Sequence, residues 1–411
     1  MVVAQFVHVG DVHLKHGSSR NPAKLAALEQ ILAEGLALPH LAGWLIPGDL
    51  FDTRSTVDDR NVWASVLTRM AAAAPVAITP GNHDAPGDLD IFAKLRAAWS
   101  VYVQTVPGML FMDTPQGLTA AIGVLPYPTR AGLVSAGVAK GDVVATAEEL
   151  LAGLLVHIGI ELTAAAARVE IPLFMAHVNI AGSRASRAGQ PQIGHEIELS
   201  GRVLEQVPAV YRALNHIHLA QEIGGGVYAG SIAPANWGET EIKAYNVVTC
   251  TLDRERWSAA WEARRIHTAP LYHVDGVLTR EAFTWTVTDG PGGDLQTAPS
   301  TWRGSELRVR YKFAQSEKSA LSAARVLAEF AEADRLEVEP VAVPDRSVRA
   351  PEVAAAHTLA EKLAAYQQMP TLPTSLAEKL TSLEHDDATT LLARVQSRLA
   401  DTAMQTSEVA A

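Results

Sequence analysis

The sequence predicts a layered α/β domain with covered sheets, followed by a smaller second domain and a helical C-terminal segment. Three observations carry this. The apolar and β-branched run from Val2 to Val9 stops at Gly10-Asp11 and reads as a buried strand. A β-α-β alternation follows it and then repeats, which implies helices covering mostly parallel sheets. Beyond about residue 275 the composition shifts to Gly, Pro, Thr and Ser before a new alternating strand pattern begins.

Element by element, Asn21-Pro22 supplies an N-cap and first-turn pair, and Leu25, Leu28, Leu32 and Leu36 recur at helical spacing. A strand is expected at residues 43–47, a helix at 61–73 and a strand at 75–79. Further strands are expected at 118–126, 171–177, 211–216 and 245–252. Segment 290–305 reads as a linker, residues 306–313 as a half-buried strand, 316–333 as a helix and 336–341 as a strand. From Pro351 onward, Leu359, Leu363 and Tyr366, then Leu376, Leu380 and Leu383, then Leu391, Leu392, Val395 and Leu399 mark short amphipathic helices broken by Pro370 and Pro373. Self-packing and docking to a partner both account for these helices.

The chain of 411 residues is too long for one ordinary core. Its 48% hydrophobic and 19% charged residues have the balance of a soluble globular protein. Neither a bilayer-spanning apolar run of about 18–20 residues nor a signal-type N-terminus is evident, so a cytoplasmic protein is expected. The lone Cys250 excludes an intramolecular disulfide and a thiolate cluster, leaving N and O ligands for any metal. A net charge of −11 argues against holding nucleic acid by overall charge; a local basic patch or a partner would be needed.

The chemistry lies at the expected strand ends. Asp11-Val12-His13 follows the first strand, Gly48-Asp49-Leu50-Phe51-Asp52 the second and Gly81-Asn82-His83-Asp84 the third. His177 ends a later strand, and Asn215-His216-Ile217-His218 ends another. Any one of these histidines reads best as a hydrogen-bonded structural residue. Five such motifs, each at a strand end, read as a metal site. Carboxylate and amide oxygens with imidazoles suit Mn²⁺, Fe²⁺ or Zn²⁺.

The series DxH, GDxxD, GNHD, a lone His and HxH resembles the calcineurin-like metallophosphoesterases over residues 1 to about 265. The resemblance implies a four-layer α/β/β/α sandwich. It also implies that Asp11, His13, Asp49 and His218 hold one divalent ion and Asp49, Asn82, His177 and His216 a second, with Asp49 bridging. Two cations about 3.5–4 Å apart stabilise the attacking and leaving oxygens of an in-line phosphodiester displacement and lower a bound water's pKa toward neutrality. His83 is then the acid that protonates the leaving oxygen, with Asp84 setting its tautomer and Asp52 a further contact beside the metals.

A narrower resemblance is to the SbcD-type nuclease subunits. It rests on residues 6–14, on Pro47-Gly-Asp-Leu-Phe-Asp-Thr53, on Leu125-Pro-Tyr-Pro128, and on Tyr228-Ala-Gly-Ser231 with Gly238, Glu239 and Lys243. It implies a nuclease domain at 1–270, a small α+β cap domain for DNA recognition with its linker at 271–345, and a helical partner-binding segment at 346–411. It also implies two divalent ions, foremost Mn²⁺, and a homodimer that cuts double-stranded DNA alongside an SbcC-like SMC-family ATPase, with no membrane. Arg184 and Arg187 either grip a phosphate or lie in a solvated loop. The family's glycine before HxH is Asn215 here, which bears on that turn. The rival readings are a phosphoesterase for small or cyclic substrates and a scaffold that has lost turnover.

Overall fold

Strand β1 (Val2–His8) is buried along its second half, as its apolar run requires. Helix α1 (Asn21–Leu36) lays Ala27, Leu28, Ile31 and Leu32 inward, while Leu36 stays exposed. Its cap falls on Arg20 rather than Asn21, because the Asn21 amide is engaged by the preceding loop, donating to the Lys15 carbonyl at 2.5 Å. β2 (Leu41–Ile46) is wholly buried. α2 (Val57–Ala73) starts four residues before the expected Asn61, because Thr56 and Asp59 form a reciprocal capping box. Trp63 on α2 donates its indole N–H to the Leu50 carbonyl at 3.1 Å and so pins the loop after β2.

The computed structural model describes residues 2–129, 143–185, 197–291, 298–319 and 321–344, with Ala355, Glu361, Ala365 and Thr390. The elements continue with β3 (Val76–Ile78), β4 (Val101–Val103), β5 (Gly108–Asp113), β6 (Thr119–Leu125), α3 (Val143–Ala167) and β7 (Ile171–His177). A two-stranded pair, β8 (Asn179–Ile180) with β9 (Glu198–Leu199), precedes α4 (Gly201–Glu205) and β10 (Tyr211–Asn215). Then come β11 (Gln221–Ile223), β12 (Gly226–Tyr228), β13 (Ala244–Asp253) and β14 (Arg256–Arg265). The fold is mixed α/β with several sheets that contain parallel strands.

One six-stranded sheet runs β14-β13-β1-β2-β3-β4, parallel from β1 to β4, with β13 antiparallel to β1. The other runs β11-β12-β10-β7-β6-β5, parallel from β12 through β10 and β7 to β6. Phe6, Leu45 and Val248 of the first sheet share one apolar cluster with Ile122, Leu173, Met175 and Ala213 of the second. The opposite face of the first sheet packs against α1 and α2 through Leu28, Ile31, Trp44, Trp63 and Leu67. That of the second packs against α3 through Leu151, Leu155, Ile158, Leu162 and Phe174.

Helix α3 was not expected. Its segment Glu148–Ala167 is long and apolar enough by composition to cross a membrane, contrary to the expectation that no such run exists. In the fold it lies on the second sheet with Val156 and Ile160 exposed.

β15 (Leu271–Leu278), β16 (Phe283–Asp289), β17 (Glu306–Ala314) and β18 (Arg335–Val343) form a separate four-stranded sheet in the order β16-β15-β17-β18. Trp302, Leu307, Val309, Val326 and Phe330 lie in its core. The segment read as a linker, 290–305, therefore follows β15 and β16 in the chain rather than preceding the whole sheet. The helix expected at 316–333 is only α5 (Ala324–Glu329), after a 3-10 turn at Gln315–Glu317.

The chain divides into two compact units, Met1–Phe313 with Ala320–Val341, and Ala314–Ser319 with Ala342–Ala411. In the second unit Ala355, Glu361, Ala365 and Thr390 are helical. The remaining positions of the expected C-terminal helices lie outside the described residues.

Candidate metal centre

Five parallel strands, β1, β2, β3, β7 and β10, end at one place, where loops from the two sheets meet. The loops there are pressed tightly together. A Cβ on Gly81 would overlap the Asp49 carboxylate, and Gly48, at φ +100°, lies against the His177 ring. His13, Asp49 and His216 have positive φ of 52°, 54° and 105°. L-residues seldom adopt such backbone, and it is held here because the surrounding contacts over-determine it.

Asp11 is fully buried, and its carboxylate accepts from the His216 main-chain N–H at 3.1 and 3.2 Å. Asp49 Oδ1 accepts from the His83 main-chain N–H at 2.9 Å. Its Oδ2 lies 3.5 Å from His13 Nε2 and 3.4 Å from His177 Nε2. Asn82 Oδ1 is 2.9 Å from both His177 Nε2 and His216 Nδ1. His13 Nε2 and His218 Nε2 are 2.9 Å apart. Asp11, His13, Asp49, Asn82, His177, His216 and His218 thus converge. Among the described residues, two groups hold ligand atoms within 4.8 Å of one another, His13 with Asp49 and His83, and Asp11 with Asp49 and His177. Asp49 belongs to both.

The neutral His177 ring faces acceptors on both of its nitrogens. His177 Nδ1 faces the Pro47 carbonyl at 2.7 Å, which can only accept, so in the neutral ring Nε2 carries the lone pair. That lone pair meets two further acceptors, Asn82 Oδ1 and Asp49 Oδ2. His218 is also turned inward, although the His13 Nε2 that faces it can carry a hydrogen and donate. Its Nδ1 donates to Glu239 Oε1 at 2.8 Å, so its Nε2 lone pair points at His13 Nε2. A proton on His177 or a metal cation reconciles these acceptors, and hard oxygens with imidazoles are a donor set that fits a divalent metal.

The electrostatics agree. Burial opposes charging His177, but the Asp49 carboxylate outweighs it and holds the imidazole up at about 9. Against burial, His177 and His13 hold Asp49 far below the usual carboxylate range. Burial pulls His13 well below its ordinary value and pushes Asp11 up. A proton on His177 balances Asp49, and a metal held by the same nitrogen would have to displace it.

The outer contacts correct one expected assignment. Asp84 does not reach the His83 ring; its oxygens accept from the main-chain N–H groups of Phe51 and Gly81, both at 3.0 Å. Burial, with the charge on Asp49 nearby, raises Asp84 to about 7. The group on His83 Nδ1 is instead the Asp52 main-chain carbonyl, at 2.7 Å. Asp52 does lie beside the site, its carboxylate 3.9 Å from His13 Nδ1 and 3.0 Å from Lys15 Nζ. Arg184 is exposed, and its main chain exchanges two hydrogen bonds with the Gln221 amide; Arg187 lies outside the described residues.

Lys24, Glu239 with its partners Lys243 and Ser231, and Tyr127 support the site but are given no role by the motifs. Buried Lys24 donates to the His13 carbonyl from α1. Glu239 orients His218 and is itself held by Lys243 Nζ at 2.6 Å and Ser231 Oγ at 2.8 Å. Ser231, Glu239 and Lys243 lie in the stretch that marks the narrower resemblance, which was the available signal. Tyr127 stands beside the His216 and His177 rings, at centroid distances of 5.4 and 5.9 Å. Glu239→Gln, which keeps the side chain's shape but removes the charge, is expected to weaken metal binding by about 10- to 100-fold. Calorimetric Mn²⁺ titration checks this, and unchanged affinity would exclude the orienting contact.

A mixed α/β fold whose strand ends gather two carboxylates, an amide and four imidazoles defines a candidate metal-dependent hydrolase. Residues 4–163 match the family model of calcineurin-like phosphoesterases. That stretch is thus similar to a calcineurin-like phosphoesterase domain, which suggests metal-dependent phosphoester hydrolysis; His177, His216 and His218 follow it in the chain.

Proposed function

We propose that the protein is a two-metal phosphodiesterase and the nuclease subunit of an SbcCD-like DNA-processing complex. The observation that carries the phosphodiesterase reading is the sharing of Asp49 by two groups of ligands. One metal would be held by Asp11, His13, Asp49 and His218, and the other by Asp49, Asn82, His177 and His216. When bound, such a pair of divalent ions, foremost Mn²⁺, supplies Lewis-acid stabilisation of both oxygens of the displacement and a nucleophile at neutral pH.

The chain's own residues do the rest. Glu239 and the Pro47 carbonyl fix the His218 and His177 rings with their lone pairs inward. His83 donates its Nδ1–H to the Asp52 carbonyl, so it is as the imidazolium that its Nε2–H would pass a proton to the leaving oxygen. Tyr127 forms an aromatic wall beside His216.

The DNA assignment draws on the four stretches that resemble SbcD-type subunits. The four-stranded sheet would serve as a DNA-recognition cap domain. Residues 346–411 would bind an SMC-family ATPase, and the subunit would be a homodimer. The rival, a phosphoesterase for small substrates, draws on charge pairing, since Lys15, Arg20, Arg308, Arg310 and Arg335 all pair with carboxylates. Purified protein with Mn²⁺ is expected to cleave linear double-stranded DNA as well as bis-p-nitrophenyl phosphate. Hydrolysis of the aryl ester without DNA cleavage, even with the ATPase present, would favour the rival.

A further inference from the structure

Next to the ligands lies a buried polar chain that the phosphoesterase motifs do not account for. It is built on Asn215, where the family resemblance expects glycine. We propose that Asn215 is a positioning residue whose amide ties the ends of β1, β2 and β10 into the spacing the metal centre needs. This rests on the metal-centre reading given above.

The Asn215 Nδ2 group donates to the Val9 carbonyl at 3.2 Å and to the Gly48 carbonyl at 3.5 Å. Val9 lies two residues before Asp11, Gly48 immediately before Asp49, and Asn215 immediately before His216. One amide thus spans three strands, each at the point where it hands over to a ligand. With its N–H groups so engaged, Oδ1 must accept, and its partner is His8 Nε2 at 3.2 Å.

The remaining protons then follow. A neutral His8 carrying its hydrogen on Nε2 has a lone pair on Nδ1, which accepts from the Tyr211 hydroxyl at 2.9 Å. The Tyr211 oxygen in turn accepts from Asn246 Nδ2 at 3.1 Å. The His8 ring, the Tyr211 hydroxyl and the Asn215 amide are all satisfied in this arrangement. Burial keeps His8 neutral by lowering its pKa to about 4. His8 on β1 and Asn246 on β13 belong to one sheet, and Tyr211 and Asn215 on β10 to the other.

Directional bonds matter here because the rest of this contact is apolar, with Phe6, Leu173, Ala213 and Val248 in the same layer. Apolar packing is non-directional and tolerates small slips, whereas a metal site needs its ligands within about 0.5 Å of their working places. A fully satisfied buried network specifies one alignment, and a broken one is costly.

The test is Mn²⁺ binding by calorimetry, with melting of the metal-free protein measured in parallel, on full-length wild type, Asn215→Ala, His8→Leu and His8→Gln. Asn215→Ala and His8→Leu are expected to weaken Mn²⁺ binding by about 10- to 100-fold. His8→Gln returns an N–H donor near the place of Nε2 and is expected to recover most of the affinity. If both damaging variants bind Mn²⁺ as wild type does and differ only in melting temperature, Asn215 is merely structural and the inference falls. A wild type that binds no Mn²⁺ would refute the metal centre instead. Should Asn215→Ala fail to fold, Tyr211→Phe decides, since it removes only the hydroxyl that orients His8. A weakening of about threefold or more supports the inference, and unchanged affinity overturns it.

Discussion

Asp49→Asn is expected to remove most metal-dependent hydrolysis and at least one bound metal per chain. Asn is the informative replacement. It tolerates the φ of +54° at this position and keeps an oxygen for the His83 N–H, so the loop survives while the charge is lost. Loss of the one carboxylate common to both ligand groups forfeits several kcal/mol of charge stabilisation. At about 1.4 kcal/mol per decade, that is on the order of a thousandfold or more in kcat/KM. A second readout is independent of turnover. The His177 imidazole, held up at about 9 chiefly by Asp49, should titrate lower in the metal-free variant, which NMR can follow. A variant that keeps two metals, full activity and a high His177 pKa would show that Asp49 does not bridge.

The second large effect is expected at His83. Its ring is exposed and stands edge-on to His13 at a centroid distance of 4.7 Å, with Nδ1 taken by the Asp52 carbonyl. Removing a positioned general acid lowers turnover by about 10²- to 10⁴-fold. His83→Ala is therefore expected to retain both metals while kcat on bis-p-nitrophenyl phosphate falls by that amount. His83 also lies within ligand reach of His13 and Asp49, so metal analysis is decisive. Loss of a cation would reassign His83 as a ligand. Replacement of Asp84, whose oxygens serve the main chain of Phe51 and Gly81, should act on loop stability and on metal affinity together.

His8 gives the stability a pH dependence of known sign. Its folded-state pKa of about 4 lies below the ordinary 6.5, so the fold favours the neutral ring. That contribution is fully present above pH 6.5 and is lost as pH falls toward 4. Over the whole window it amounts to about 3 kcal/mol. In chelator, the difference in unfolding free energy between wild type and His8→Gln should therefore narrow by this order between pH 7 and pH 4. A constant difference would show that His8 is not buried neutral.

The place of the candidate site was legible because each motif follows a run whose apolar pattern marks a strand, and parallel strands bring their ends to one edge. Asp11, His13, Asp49, Asn82, His177, His216 and His218 all lie there. The partners of those residues were not legible. Glu239 lies 21 residues from His218, and His8 lies 207 from Asn215. Such pairs exist only once two sheets pack face to face, and no local spacing records them. Asp84 misled for the same reason: adjacency to His83 in the chain suggested a contact, but the turn directs its carboxylate to main-chain N–H groups.

Local pattern also fell short where tertiary packing overrides it. Helix α3 has an apolar composition that suits a buried helix and a membrane span alike, and only its seat on β6 and β7 distinguishes them. The helix expected at 316–333 shortened to six residues beside a sheet whose strands β15 and β16 lie before the segment read as a linker. Residue types and strand periodicity were enough to point to a candidate metal site at the strand ends, because side-chain chemistry and a period of two are properties of the chain alone. Which nitrogen of each imidazole faces the centre, and what holds it there, depends on hydrogen bonds between residues far apart in sequence, and these form only in the packed fold.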